Sequence, residues 1–484
     1  IDIDPKFRIA DELEADMIKQ EVLEELFENW YGEESEEERD AFYAVVERFS
    51  NDRNDIEVES LLLKLYEFSI QHPNPEKWLD ELAEVYHVDE DTPEEQLGWL
   101  EKLKQEIRMQ LDLIEGQLSK AINIARESDG PSQYLDALES DCNMLAQARE
   151  TIGQSWEETR TFFQGSTFKA LSRKKTECSE EKKEEVKAIR DKVKKRWNKI
   201  KEENFTRSLT QQLQDMRTLY PVIQHLVKMI KAFQQNYQAA KKERGVVDFT
   251  DLEHYALEIL LEDRESLQPS RVAVELQQRY SEVMVDEYQD TNLVQETILL
   301  SISDQTDQGN MFMVGDVKQS IYRFRHADPS LFIHKYNQFS YPDNPGYRID
   351  LAKNFRSRNE VLQAANYIFR QLFDEEAGDI VYDEDAELKY GNKMYDEAVK
   401  NDLEIELLLV DRETQEEDRQ DYTDDELESM EDLEKAQIEA RAYAEKIKQW
   451  IGSQENESAM VMDKQTGRLR PANYRDMVIL LRSM

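Results

Sequence analysis

In the stretch VMVDEYQDTN, Val283–Asn292, a short apolar run delivers two adjacent carboxylates, Asp286 and Glu287. At the C-terminal edge of a sheet such a pair suits nucleotide hydrolysis. One carboxylate holds Mg²⁺ and another orients or deprotonates water. Asp286, first off the strand, fits the metal role, and Glu287 fits the base. Asp-Glu pairs alone are common on surfaces; the whole string behind a Val-Met-Val strand is far more specific.

A second stretch, VGDVKQSIYRFRHADP at Val314–Pro329, places Gln319 where its amide reaches a phosphate oxygen. Beyond it Tyr322 and Phe324 alternate with Arg323 and Arg325. Aromatics interleaved with arginines make a stacking platform for unpaired bases; the other reading of both rings is core packing. In a third stretch, LAKNFRSRNEVL at Leu351–Leu362, a turn presents Phe355, Arg356 and Arg358. An arginine brought to a nucleotide stabilises charge on the γ-phosphate, although an exposed arginine by itself is only a solubilising residue.

These residues need strands that end together. Val283–Val285 and Met311–Val314 read as short buried parallel strands, each emptying into an acidic or Gly-Asp turn. Further candidate strands are Tyr347–Leu351, Leu403–Val410 and Met477–Leu481, with a helix between the last two that turns Ala440, Ala444, Ile447 and Ile451 inward. Strands alternating with helices mean α/β. In VVDFTDLEHYALEIL a capping box with Thr250 as N-cap and Glu253 three residues later predicts a helix start.

Residues 1–48 open with FRIADE and run into an amphipathic helix, and 49–235 are helical almost throughout. Leu100, Leu103, Ile107, Leu111, Ile114, Leu118 and Ile122 recur at steps of three and four, which puts them on one core-facing stripe. Pro73, Pro75, Pro131 and Pro221 punctuate this zone into separate helices. Asp411–Glu434 carries thirteen acids and two arginines and reads as a mobile, solvated loop.

With 484 residues, 39% hydrophobic and 35% charged, the chain suits two to four soluble domains. No apolar run approaches the roughly 20 residues that span a bilayer, so no membrane association is expected. Two cysteines, Cys142 and Cys178, make neither a disulfide framework nor a metal site and fit a reducing cytoplasm. A net charge of −43 argues against a simple DNA-coating protein, so nucleic-acid contact must rest on local features. One is Lys182–Lys201, with ten Lys/Arg against three acids; its other reading is a solvated helix face. The chain opens on Ile1, not Met, and reads as a fragment of something longer.

The three stretches, in this order, resemble motifs II, III and IV of superfamily 1A helicases, the UvrD/PcrA/Rep/RecB group. The resemblance implies that Asp286 binds Mg²⁺, Glu287 activates water and Gln319 senses the γ-phosphate of ATP. It also implies that Phe355 stacks on adenine, Arg356 contacts the γ-phosphate, and Tyr322, Phe324 and Arg325 meet DNA. His326 departs from the Gly that many members carry after the Phe-Arg pair, which puts the local loop geometry in question.

FRIADE, YEFSIQHPNPEKWL (Tyr66–Leu79) and GDVKQSIYRFRHADPSLF narrow the resemblance to the AddA (RexA) family, through nearly the whole chain. That implies parts of two RecA-like parallel-sheet domains with a large all-α helical insertion. The first domain takes 1–48 and 236–345, the insertion 49–235, and the start of the second domain 346–484. It further implies a 3′→5′ ATP-dependent helicase with a C-terminal nuclease, paired with AddB (RexB) as a heterodimer. The resemblance implies single- and double-stranded DNA as substrates, and resection of double-strand breaks for recombination as the task. None of the fourteen glycines opens a G-x-x-x-x-G-K-[ST] phosphate loop, so the isolated chain is expected to be inactive. Another UvrD/PcrA-type repair helicase and a non-hydrolysing scaffold for DNA or partners are the alternative readings.

Overall fold

The computed structural model describes residues 5–481 except 52–53, 90, 175, 307–308, 342–345, 375–379, 393–404, 410–423, 453–457 and 464; for 424–435 only the backbone is described. The chain divides into two compact units, Ile1–Tyr347 and Arg348–Met484.

The first unit is mostly helical. Strand β1 (Arg8–Ile9) leads into α1 (Glu12–Tyr31), capped by the Asp11 carboxylate, which accepts from Glu14 N at 2.8 Å. Then come α2 (Glu36–Phe49), α3 (Ile56–Ser69) and α4 (Pro75–Glu84). Pro75 sits in the first turn of α4, where a missing N–H costs nothing. Helices α5 (Gly98–Arg126), α6 (Leu135–Gln154), α7 (Trp156–Gly165) and α8 (Glu180–Asn204) follow, then the 36-residue α9 (Leu209–Arg244).

Two apolar cores organise these helices. Ile18, Phe42, Val45, Leu62 and Leu79 pack against Ile230, Phe233 and Tyr237 of α9. Leu100, Ile107, Leu111, Ile114 and Leu118 of α5 pack with Trp156, Phe163, Val193 and Trp197. Five of the seven residues of the α5 stripe are thus buried, while Leu103 and Ile122 are half-buried at its edge. Helix α9 joins the two cores, contributing Leu213 to one and Val222 onward to the other. Pro221 lies inside α9 and does not break it, contrary to the expected punctuation. Proline ordinarily costs a helix interior about 3 kcal/mol, and packing on both sides of Pro221 opposes that cost.

The Lys182–Lys201 run forms most of α8. Lys183 and Lys187 pair with Glu180 and Glu184 one turn back, and Arg190 is buried against Asp141 at 2.6 Å. The helix therefore turns Val186, Arg190, Val193, Trp197 and Ile200 inward and keeps its lysines on the outer face.

Gly245, at φ +64, ends α9 in the left-handed conformation that glycine adopts freely. It releases the chain into β2 (Val246–Val247), parallel to β1. Helix α10 (Phe249–Leu260) begins two residues earlier than the Thr250 cap would place it. Asp248 and Asp251 form the capping box, each carboxylate accepting the other's backbone N–H at 2.9 Å. Buried Lys241 donates to both carboxylates and selects this box over the Thr250/Glu253 one. Short strands β3 (Leu261–Asp263) and β4 (Gln268–Pro269) lead to α11 (Arg271–Arg279).

Strands β5 (Val283–Val285) and β6 (Met311–Met313) are parallel, with Val283 opposite Met311 and Val285 opposite Met313. Helix α12 (Leu293–Ile302) connects them, and α13 (Pro329–Gln338) follows. Only Val283 is buried; Met284 is 69% exposed and Phe312 52% exposed, because the pair forms a sheet of two strands with an open face.

The expected strand Tyr347–Leu351 has no regular structure, and in the second unit β7 (Lys353–Asn354) pairs instead with β8 (Lys389–Tyr390). Between them lies α14 (Asn359–Leu372), whose buried Asn366 donates to Leu388 O and accepts from Leu388 N, both at 3.0 Å. Residues 405–409 and 477–481 are not strands either; 401–404 and 410 lie outside the described residues.

The expected acidic loop is helical over 424–434, within α15 (Asp424–Ile451), and its remaining residues lie outside the described residues. On α15 Ile447 and Ile451 are half-buried, but Ala440 and Ala444 are exposed rather than inward. A hairpin of β9 (Met460–Asp463) and β10 (Arg468–Pro471) was not expected. Its turn rests on Asp463, which accepts from Gln465 N and Thr466 N, and on Gly467 at φ +64.

Candidate functional site

Strand β5 ends where the chemistry begins. Val285 O accepts from Val314 N at 2.8 Å, and Tyr288 N donates to Val314 O at 2.9 Å, so the chain must fit two residues, Asp286 and Glu287, between its bonds to Val314. It does so with Glu287 in the left-handed region, φ 50° and ψ 45°. For a residue with a Cβ this costs about 1–2 kcal/mol, and such strain concentrates at functional positions. Both carboxylates are exposed at the strand end, as the sequence pattern anticipates. They line an open depression of about 510 Å³ together with Glu253, Asp290, Thr291, Gln295, Ile298 and Leu299.

The floor is built from helix ends. Asn292 caps α12, its side-chain oxygen accepting from Gln295 N at 2.8 Å, and its amide donates to Gln71 at 2.8 Å. Gln295 in turn donates to Glu253 of α10 at 2.8 Å. Burial pushes the Glu253 carboxyl up, against the pull of Gln295 and Asn292. Burial, and then the charge of Glu287, pushes Asp290 up as well. Oδ1 of Asp290 is buried without a hydrogen-bond partner among the described residues.

This donor set suits Mg²⁺. That ion takes one or two carboxylates plus substrate phosphates and waters rather than an all-protein cage. Asp286 presents an exposed carboxylate whose one hydrogen bond among the described residues comes from Glu287 N at 3.0 Å. No cluster of three or more possible metal-ligating side chains is found among the described residues.

Two further residues, absent from the sequence-level site, tie the two motif stretches together. Gln289 is buried and donates to Glu287 Oε2 at 2.8 Å, while its carbonyl oxygen accepts from Asp316 N at 2.9 Å. Asp316 accepts from Gln319 Nε2 at 3.0 Å and pairs with Lys318 at 2.8 Å. Burial would raise the Asp316 carboxyl, but Lys318 and Gln319 together hold it below the usual carboxylate range. Both residues stand inside the quoted motifs; their partnership depends on strand register and could not be read from either stretch alone.

Past Gln319 the loop presents its aromatic pair. Tyr322 and Phe324 have ring centroids 5.8 Å apart, and the Arg325 guanidinium lies 5.6 and 5.7 Å from the two rings. Both rings are exposed, Phe324 at 73%, so neither belongs to the core. His326 ends this turn at φ +62, the left-handed conformation in which glycine is unstrained, and its ring meets Phe68 edge-on at 5.1 Å. The His326 ring thus adds a contact to α3.

Phe355 and Arg356 belong to the second unit, directly after β7. Asn354 Oδ1 accepts from Arg356 N at 2.9 Å and Ser357 N at 2.8 Å, which shapes the turn and leaves Phe355 and Arg356 exposed.

Residues 107–340 match the UvrD/REP helicase N-terminal domain. The whole chain is 52% identical to a protein of Oceanobacillus iheyensis described as an ATP-dependent helicase/nuclease subunit, of which it covers 39%. It is 42% identical, again over its whole length, to proteins of the same description from Bacillus mycoides and Bacillus cereus, covering 38% of each. The chain therefore spans about two fifths of the length of the curated relatives it matches. No helix among the described residues is long and apolar enough to cross a membrane.

Proposed function

We propose that this chain, which belongs to the AddA family of UvrD-like helicases, forms part of an ATP-driven DNA motor. The observation that carries the reading is the pair Asp286–Glu287, held at the end of a parallel strand and opening into a depression. In this reading Asp286 holds Mg²⁺, which supplies charge neutralisation for the phosphates of ATP. Glu287 orients and deprotonates the attacking water, and Gln319 meets the γ-phosphate. Phe355 stacks on the adenine and Arg356 reaches the γ-phosphate. Tyr322, Phe324 and Arg325 hold single-stranded DNA.

The two units then correspond to parts of two RecA-like domains, 1–48 with 236–345 and the start of a second at 346–484, and the helices of 49–235 to an insertion in the first. The complete subunit acts as a cytoplasmic 3′→5′ helicase and exonuclease, paired with an AddB (RexB) partner, in resection of double-strand breaks.

Unwinding by the complete subunit with its partner tests the proposal. Duplexes with a 3′ or a 5′ single-stranded tail are offered with ATP and Mg²⁺. Strand displacement from the 3′-tailed duplex is expected; displacement from neither, with folded protein, rejects a motor.

A further inference from the structure

The Glu287 carboxylate has a single side-chain hydrogen-bond partner among the described residues, Gln289. That side chain faces two groups with opposite demands. A carboxylate only accepts hydrogen bonds and a backbone N–H only donates one, so the group between them must donate on one side and accept on the other. A carboxamide does both. Gln289 Nε2 donates to Glu287 at 2.8 Å, with a longer reach of 3.4 Å to Asp290, and its Oε1 accepts from Asp316 N at 2.9 Å. The side chain is 1% exposed, so neither bond has water as a substitute.

The opposite wall is shaped to admit it. A Cβ on Gly315 would stand 2.7 Å from Gln289 Oε1 and 3.2 Å from the Phe332 ring, so only glycine lets the amide reach Asp316 N undisturbed. Beyond Asp316 the connection continues through its carboxylate to Gln319 Nε2 at 3.0 Å, and Gln319 N is held by Asp316 O at 2.9 Å. Three residues later the exposed rings of Tyr322 and Phe324 begin.

We propose that Gln289 is a positioning residue that locks the orientation of Glu287 to the Asp316–Arg325 loop, so that single-stranded DNA seated on that loop sets the rate of hydrolysis at Glu287. The inference rests on the reading of Glu287 as the base and of Tyr322 and Phe324 as the DNA contact. Gln289 touches neither water nor phosphate in this role. It fixes the carboxylate on one side and the backbone of the second motif on the other, and a shift of either is felt by its partner.

The test uses the complete subunit with its partner and compares Gln289→Met, which keeps length and loses both bonds, with Gln289→Glu, which keeps shape and sets a like charge against Glu287. ATP turnover is measured with and without oligo-dT, and kcat is separated from KM. The expected result is a fall of roughly tenfold in the stimulation of kcat by oligo-dT, the scale of losing a hydrogen bond to a charged group, with KM for ATP moved by no more than about twofold. A purely structural role would lower the melting temperature and leave the stimulation ratio intact, and that result overturns the inference.

Gly315→Ala retains Gln289 and displaces its oxygen, so it must show the same loss of stimulation even where the Gln289 variants fail to fold; unchanged stimulation in folded Gly315→Ala also overturns the inference. Glu287→Gln is run in parallel. Full turnover in that variant defeats the underlying reading of the site. Lost turnover there, with normal stimulation in Gln289→Met, defeats the coupling alone.

Discussion

The rings of Tyr322 and Phe324 stand 5.8 Å apart at an interplanar angle of 35°, with both side chains open to solvent and Arg325 beside them. Exposed aromatics held together by a short turn are arranged to receive flat groups. If bases stack there, Tyr322→Ala or Phe324→Ala costs about 1–3 kcal/mol of affinity for single-stranded DNA, nearly independent of sequence. The salt dependence stays as it was, because its slope counts neutralised phosphates. Arg325→Ala lowers that slope by about one phosphate's worth if the guanidinium meets the backbone. Titrations at several salt concentrations check all three variants, and full affinity in both aromatic variants removes the platform.

His326 carries the cost of a left-handed backbone, about 1–2 kcal/mol for an L-residue, offset by an edge contact with Phe68 of about 0.5–1.5 kcal/mol. His326→Gly relieves one and forfeits the other, so its melting temperature should stay close to that of the parent. His326→Val loses the ring contact and worsens the strain, and should be clearly destabilised. Equal melting temperatures for the two variants would contradict the assignment of strain to this residue.

Arg190 and Asp141 form a buried pair, with Nε–Oδ2 at 2.6 Å and Nη2–Oδ1 at 3.1 Å. Arg190→Met strands the carboxylate and should cost about 3–5 kcal/mol, whereas adding Asp141→Leu should recover most of the loss. Denaturant melts of the two variants decide this. No recovery in the double variant would mean that Arg190 stabilises mainly through its bond to Lys169 O at 2.6 Å.

Asp316 is held below the ordinary aspartate range because Lys318 and Gln319 outweigh its burial. A depressed carboxylate contributes stability that is complete above the unfolded value, near pH 4, and is lost as pH falls through the lower folded value. The melting temperature of the parent should therefore exceed that of Asp316→Asn at pH 6, and the gap should narrow as the pH is taken below the ordinary aspartate range. A gap that stays constant across this range would exclude the charged form as its source.

Contiguous motifs made most of the site legible. The Val283–Asn292 string already contains a strand, its two terminal carboxylates and the next helix cap, and β5 and β6 are parallel as the apolar runs imply. The α5 stripe was readable for the same local reason. What escaped depends on residues far apart in sequence. Two capping boxes were available near Asp248, and Lys241 from the preceding helix selected between them. Tyr347–Leu351 has the alternation of a strand, but pairing is a property of partners, and β8 lies beside Lys353–Asn354 instead. Gln289 could be named from its string, yet its bond to Asp316 follows only from the register of β5 against β6.

Whether the carboxylates at the end of β5 drive nucleotide hydrolysis is tested most directly by Glu287→Gln in the complete subunit, with ATP binding and DNA-stimulated turnover measured on the same preparation. Binding nearly intact with turnover lowered by roughly 10²-fold or more, the scale of general acid–base catalysis, is the expected result. Turnover at the parent's level, with binding equally intact, would contradict the role of Glu287 and with it the reading of this site.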